Sequence, residues 1–389
     1  MKLLSQSSPS ITLRDVKPIL EELISIPSVS GNEHDIADWL ANYLSGLGFN
    51  VEKIDTPECG PDILASLSRG EKGACLLLYG HMDTIEPVSG WAYPPFKPTL
   101  KGSRLYGLGA SDMKGGIAAI LAAANKLRRV KLRGSLLVAF GSDEELYSRG
   151  CDALIQKGKL RGIHAAISAE PTQLDLVEGR GGRAVYEVSV KGTSSHGALA
   201  EEGVNAVDEA ARFITHLKRL PLKRFRGVKG AVSILSVSGG TEFLSIPDFC
   251  RILVDRLLVP GETKETALKQ IEKLIADLDS DAKFRVRLMT RKTPFMEPYV
   301  LSRRSLISNI VERACQIVSG FKPRRRIELS VGDENYLVVR GRIPTVSIGP
   351  KGGGAHAPNE YVDLPSVVEA AKIYAASAAI YLNSWAESD

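Results

Sequence analysis

Tyr79-Gly-His-Met-Asp-Thr84 closes an apolar run over residues 74–78, and its reading decides how the rest of the chain is understood. The run is short and bounded by Gly73 and Gly80, the pattern of a buried strand. His81 and Asp83 sit at its end. Side chains two apart on extended backbone point the same way, so an imidazole and a carboxylate face one cavity. An imidazole binds a metal through one nitrogen while a carboxylate fixes its ring by hydrogen bonding. A His-x-Asp at a strand end is more often a satisfied turn, so a site requires more acids and a second histidine to converge there.

Working outward, other segments repeat the form. Residues 136–140 read as a buried strand ending in Gly141-Ser-Asp-Glu-Glu145, and residues 165–169 as one ending in Glu170-Pro171. Three adjacent acids repel unless cations offset them, although Asp143 also suits a solvated turn. Asp112, in Ala110-Ser-Asp-Met-Lys-Gly-Gly116, falls just before an apolar helix at 117–127, where the ordinary role is a helix cap. Asp112, Glu145 and Glu170 are separated by about one βα unit, roughly 30 residues each. Successive parallel strands deliver such residues, with His81, to the carboxyl edge of a sheet, where α/β proteins bind ligands. A glycine-rich stretch, Val346-Ser-Ile-Gly-Pro-Lys-Gly-Gly-Gly-Ala-His-Ala-Pro-Asn-Glu-Tyr361, places His356 on a loop after a further strand.

Helical periods at 13–26, with Pro18 near the first turn, and from about Asn32 to Gly46 or Gly48 precede a strand at 49–54. A proline- and aromatic-rich loop at 86–98 has the length of a functional or disordered connection. From Arg183 the order becomes β-α-β-β-α-β, the ferredoxin-like unit. The expected fold is α/β: a catalytic domain of residues 1–182 and 292–389 with a mostly parallel central sheet, interrupted by a ferredoxin-like domain of residues 183–291.

The chain has 389 residues, enough for two domains, and 44% hydrophobic with 24% charged residues is ordinary for a globular protein. Five scattered cysteines without CxxC spacing argue against a disulfide framework or thiolate zinc site and fit a reducing cytoplasm. The start MKLLSQSSPS is not expected to be a signal peptide, and no apolar run approaches the roughly 20 residues of a membrane helix. The net charge of +5 is mild, and the densest basic run, Lys322-Pro-Arg-Arg-Arg326, reads as a solvated loop rather than a nucleic-acid face.

Of six histidines, His34, His164 and His216 read as structural or surface residues, whereas His81, His196 and His356 lie on glycine-flanked loops. Two imidazoles and three carboxylates suit zinc, cobalt or manganese. Five ligands are too many for one open tetrahedral site and suit two ions sharing a carboxylate and a water.

The chain resembles the M20 metallopeptidase family, near its acetylornithine deacetylase and succinyl-diaminopimelate desuccinylase branch. The resemblance rests on Gly80-His-Met-Asp83, Ala110-Ser-Asp-Met-Lys-Gly-Gly116, Asp143-Glu-Glu145, Ala169-Glu-Pro171, Gly192-Thr-Ser-Ser-His196 and His356-Ala-Pro-Asn-Glu360, in order and over nearly the whole chain. It implies that Asp112 bridges two zinc ions, with His81 and Glu170 on one and Glu145 and His356 on the other. It also implies that Asp83 orients His81, that Glu144 is the general base, and that His196 donates to the oxyanion from a partner subunit. A homodimer through the inserted domain follows, as does hydrolysis of an N-acyl amino acid by a metal-activated hydroxide. The rival activities are a dipeptidase or carboxypeptidase on the same scaffold and, further off, a non-catalytic binder, which has no need of Glu144.

Two departures concern substrate recognition: Leu244 replaces the family's usual asparagine, and Leu257 follows Arg256 where a second arginine is common. Arg180, Arg256 and the amides around Gly353 are the candidate anchors for a substrate carboxylate, and a surface or turn role fits each equally well.

Overall fold

The computed structural model describes residues 11–67 and 73–384. The opening segment read above as lacking a signal peptide lies outside the described residues. The chain forms two compact units, Met1–Glu178 with Leu301–Arg326 and Gly332–Asp389, and Gly179–Val300 with Ile327–Val331.

In the first unit, α1 (Leu13–Ser25) buries Val16, Ile19, Leu20, Leu23 and Ile24 at helical spacing. Pro18 sits inside α1, just past its first turn. Next come α2 (His34–Gly46), β1 (Asn50–Ile54), β2 (Asp62–Leu67) and β3 (Cys75–His81). They are followed by α3 (Gly115–Leu127), β4 (Ser135–Gly141), α4 (Arg149–Gln156) and β5 (Ala165–Ser168).

The second unit contains β6 (Gly182–Lys191), α5 (Ala206–Leu217), β7 (Ala231–Gly239), β8 (Phe249–Leu258), α6 (Lys264–Ala276) and β9 (Lys283–Leu288). Its sheet runs β7-β8-β6-β9 with every pair antiparallel, which is the ferredoxin-like order. Alternation in β9 turns Phe284, Val286 and Leu288 toward a core of Tyr186, Val188, Ile252 and Phe213, and leaves Lys283, Arg285 and Arg287 exposed.

The chain then returns to the first unit through α7 (Leu306–Ser319), α8 (Asp333–Val339), β10 (Thr345–Ser347) and α9 (Leu364–Ser384). The sheet of this unit runs β1-β2-β4-β3-β5-β10. Pairs β3–β4, β3–β5 and β5–β10 are parallel, while β1–β2 and β2–β4 are antiparallel. Leu76, Leu77 and Leu78 of β3 are buried on both faces, as continuous apolar runs in parallel strands require, and α3 and α9 pack on this strand. Each such leucine contributes about 1.5–3 kcal/mol through burial.

Register positions the site. His81 pairs with Gly141, Tyr79 with Ser168, and Ser168 with Ser347. The segments leaving β3, β4, β5 and β10 therefore emerge from one sheet edge. The residues before α3 arrive differently, through a small antiparallel sheet of Gly352–Gly353, Tyr361–Asp363, Arg104–Tyr106 and Thr99–Lys101. The long 86–98 loop is fastened beside it: Ala92 and Tyr93 donate their amides to Asn359 Oδ1 at 2.7 and 3.3 Å, and Tyr93 packs on Tyr106.

Candidate metal centre

His81 ends β3 and is 1% exposed. Its Nδ1 lies 3.3 Å from Asp83 Oδ1 and 3.1 Å from the Asp83 carbonyl, leaving Nε2 for the cavity. That nitrogen is 3.2 Å from Asp112 Oδ1 and 3.8 Å from Glu170 Oε1. On the other side, His356 Nε2 is 2.8 Å from Glu145 Oε2 and 3.7 Å from Asp112 Oδ2. The donors thus form two triplets, His81–Asp112–Glu170 and Asp112–Glu145–His356, with the donor atoms of each within 4.8 Å of one another. Asp112 belongs to both, one oxygen turned to each histidine.

Asp112 reaches this position on a turn, Ala110–Lys114, where its backbone is extended (φ −119°, ψ 92°) and the following peptide bond is cis. It is not the cap of α3, whose N-cap is Lys114. The cap role is therefore replaced by a turn that projects the carboxylate between the two histidines.

The electrostatics are those of closely packed ionisable groups. Burial opposes charge on His81, but hydrogen bonds to Asp112 and Asp83 outweigh it and raise its pKa well above the ordinary value. The hydrogen bond to Glu145 lifts His356 to about 9. Burial raises both Glu144, well above the ordinary carboxylate range, and Glu145. Imidazoles and carboxylates that hold protons here exchange them for a divalent cation when one binds. Two nitrogen and three carboxylate donors with one shared carboxylate fit a pair of borderline divalent ions.

Asp83 is fully buried and organises more than the His81 ring. It accepts the Ser30 hydroxyl at 2.6 Å and the amides of Glu144 and Glu145 at 3.0 and 3.1 Å. Glu33, also fully buried, accepts from the amides of Gly31, Gly60 and Asp143. Asp62 accepts from Thr56 and from both the amide and hydroxyl of Ser142. Sequence reasoning passed over Glu33 and Asp62, because residue type alone does not reveal that a carboxylate is buried beneath a loop.

Several expectations are corrected. Asp143 is fully buried rather than solvated and forms a two-point pair with Arg149 at 2.7 and 2.8 Å. Arg256 does not present its guanidinium to a ligand. It is fully buried in the second unit and bonds Glu262, Gln270 and the Ala231 carbonyl. Arg180 is likewise 3% exposed and held by Ser330 at 2.9 Å and Glu328 at 3.3 Å. Gly353 lies in a two-residue strand opposite Tyr361. The basic run is not a free solvated loop: Arg325 pairs with Glu312 and Arg326 with Asp175.

His196 stands in the second unit, exposed, with Nδ1 accepting from the Ala198 amide at 3.1 Å. Its loop is tied to the segment carrying Leu244, whose carbonyl accepts from Gly197 at 3.0 Å and whose side chain is 90% exposed.

An α/β scaffold that gathers such donors around one shared aspartate, with a half-buried glutamate beside them, defines a metal-dependent hydrolase. The chain belongs to peptidase family M20/M25/M40, whose family model matches residues 77–379. It is 29% identical over 380 residues to the acetylornithine deacetylase of Buchnera aphidicola subsp. Schizaphis graminum, covering 91% of this chain and 95% of that protein. It is 27% identical to the succinyl-diaminopimelate desuccinylase of Wolinella succinogenes, covering 90% and 95%. In fold it is similar to a tripeptidase from Staphylococcus aureus, with a TM-score of 0.82, 20% identity and coverage of 96% and 99%. Members of the family are metal-dependent hydrolases acting on amide bonds, and this chain is one of those hydrolases. Among the described residues no helix is long and apolar enough to cross a membrane.

Proposed function

We propose that the protein removes the acyl group from an N-acyl amino acid of the acetylornithine or succinyl-diaminopimelate type. The observation that carries this reading is Asp112, standing between His81 and His356 with one oxygen toward each. In this reading His81 and Glu170 hold one ion, Glu145 and His356 the other, and Asp112 both. Zinc suits the set best, and cobalt or manganese would also fit. Divalent ions held there would lower the pKa of a bound water and polarise the scissile carbonyl.

The chain's own residues do the rest. Asp83 holds His81 in the tautomer that offers Nε2. Glu144 takes the proton of the attacking water and returns it to the leaving amine, a task for which a carboxyl that burial raises above the ordinary carboxylate range is suited. His196 supplies a hydrogen bond to the developing oxyanion from the partner of a homodimer assembled through the 183–291 insertion. With Arg180 and Arg256 engaged internally, the amides around Gly353 are the candidate anchor for the substrate carboxylate. The five cysteines are all free, which fits a cytoplasmic, reducing setting.

A substrate panel with added zinc or cobalt tests this. N-acetylornithine or N-succinyl-diaminopimelate should give the highest kcat/KM. Preference for simple dipeptides over every acyl amino acid would replace the deacylase reading with a peptidase one.

A further inference from the structure

We infer that Glu360 is a positioning residue for Asp112, an inference that rests on the two-ion reading above. Glu360 is 2% exposed, and its carboxylate faces one turn of backbone. Oε2 accepts the amide of Gly109 at 2.7 Å, and Oε1 accepts those of Ser111 and Asp112, each at 2.8 Å. The Glu360 carbonyl also accepts the amide of Gly107 at 3.0 Å. Four amides between residues 107 and 112 are thus satisfied by a single residue 248 positions further along the chain than Asp112.

The physical consequence is local. Backbone N–H groups in a buried turn must find acceptors. Here three of them converge on the two oxygens of one carboxyl group, and when that group is ionised such bonds are about twice as strong as neutral ones. The peptide that carries Asp112 is therefore fixed by its own amide, one covalent step from the side chain shared between the two triplets. Glu360 also follows His356 by four residues, and the next strand, Tyr361–Asp363, pairs with Arg104–Tyr106. One short segment thus supplies His356 and sets where Asp112 stands relative to it. The buried Lys114, in the same turn, donates to the Ile26 carbonyl at 2.8 Å.

Glu360→Gln tests this with little change of shape. Its NH2 group would meet backbone N–H donors, so one of the two oxygen contacts is lost. Calorimetric titration of the metal-free protein with zinc should show binding about 10- to 100-fold weaker than in the wild type, the usual effect of losing a group that orients a ligand. With both proteins saturated, kcat should fall while KM holds, and the visible absorption of the cobalt form should shift. Glu360→Asp keeps the charge but shortens the reach; if Glu360→Gln does not fold, this variant should show the same weakening.

Unchanged zinc affinity and an unchanged cobalt spectrum in a folded variant would overturn the inference, even if its thermal stability fell. Wild-type protein that fails to take up two ions would instead defeat the two-ion reading itself, so the two failures are told apart.

Discussion

The carboxylate of Asp83 accepts the backbone N–H of Glu144 at 3.0 Å. The same group lies 3.3 Å from His81 Nδ1. One buried anion therefore sets the ring of a ligand histidine and the position of the proposed base together. Asp83→Asn keeps the shape but cannot accept from both the imidazole and two amides. Metal affinity or kcat/KM should fall about 10- to 100-fold. Calorimetry and steady-state kinetics on the variant check this, and wild-type values for both would contradict it.

Glu144→Gln removes the proposed proton carrier without touching a ligand. Turnover should fall by at least about 100-fold, the lower end of what general acid–base catalysis contributes, while metal content is retained. Turnover close to the wild-type value in a variant that keeps its metal would assign the proton transfer to another group.

Subunit mixing tests the role of His196. His196→Ala should lose most of kcat and keep its metal. Combined with Glu144→Gln chains, it should regain activity, because a mixed dimer contains one site with both groups intact. Two inactive variants that stay inactive after mixing, in a preparation shown to exchange subunits, would refute donation across subunits.

Asp333 carries a pH signature. It is buried, accepts the Tyr79 hydroxyl at 2.5 Å, and burial pushes its pKa up from 3.8 to about 7. Between those values the folded chain holds a proton that the unfolded chain has released, so its stability falls as pH rises through the window. In chelator-treated protein, wild type should lose stability relative to Asp333→Asn from pH 4 to about 7, read by urea unfolding. A gap that stays constant across that range would contradict the assignment.

The sheet and its cargo were legible where one physical pattern sufficed. Short apolar runs located β3, β4 and β5, and parallel register then carried His81, Glu145 and Glu170 to one edge. Asp112 was found for an incomplete reason. It follows no strand of the main sheet and depends on a turn held by Glu360, a contact between distant positions that no local periodicity reveals. Asp143, Arg256 and Arg325 failed the expectation of exposure for one cause: each charge has a counter-charge brought in by folding, so burial cost is offset. A charged residue's partner is a tertiary fact.

The central claim is that side chains from four strand ends and one turn hold a pair of ions. Metal analysis of dialysed, fully active protein tests it most directly, with His356→Ala as the paired sample. The account predicts two divalent ions per chain in the wild type and one in the variant, with activity lost alongside the second ion. Full activity with fewer than one ion per chain would contradict it.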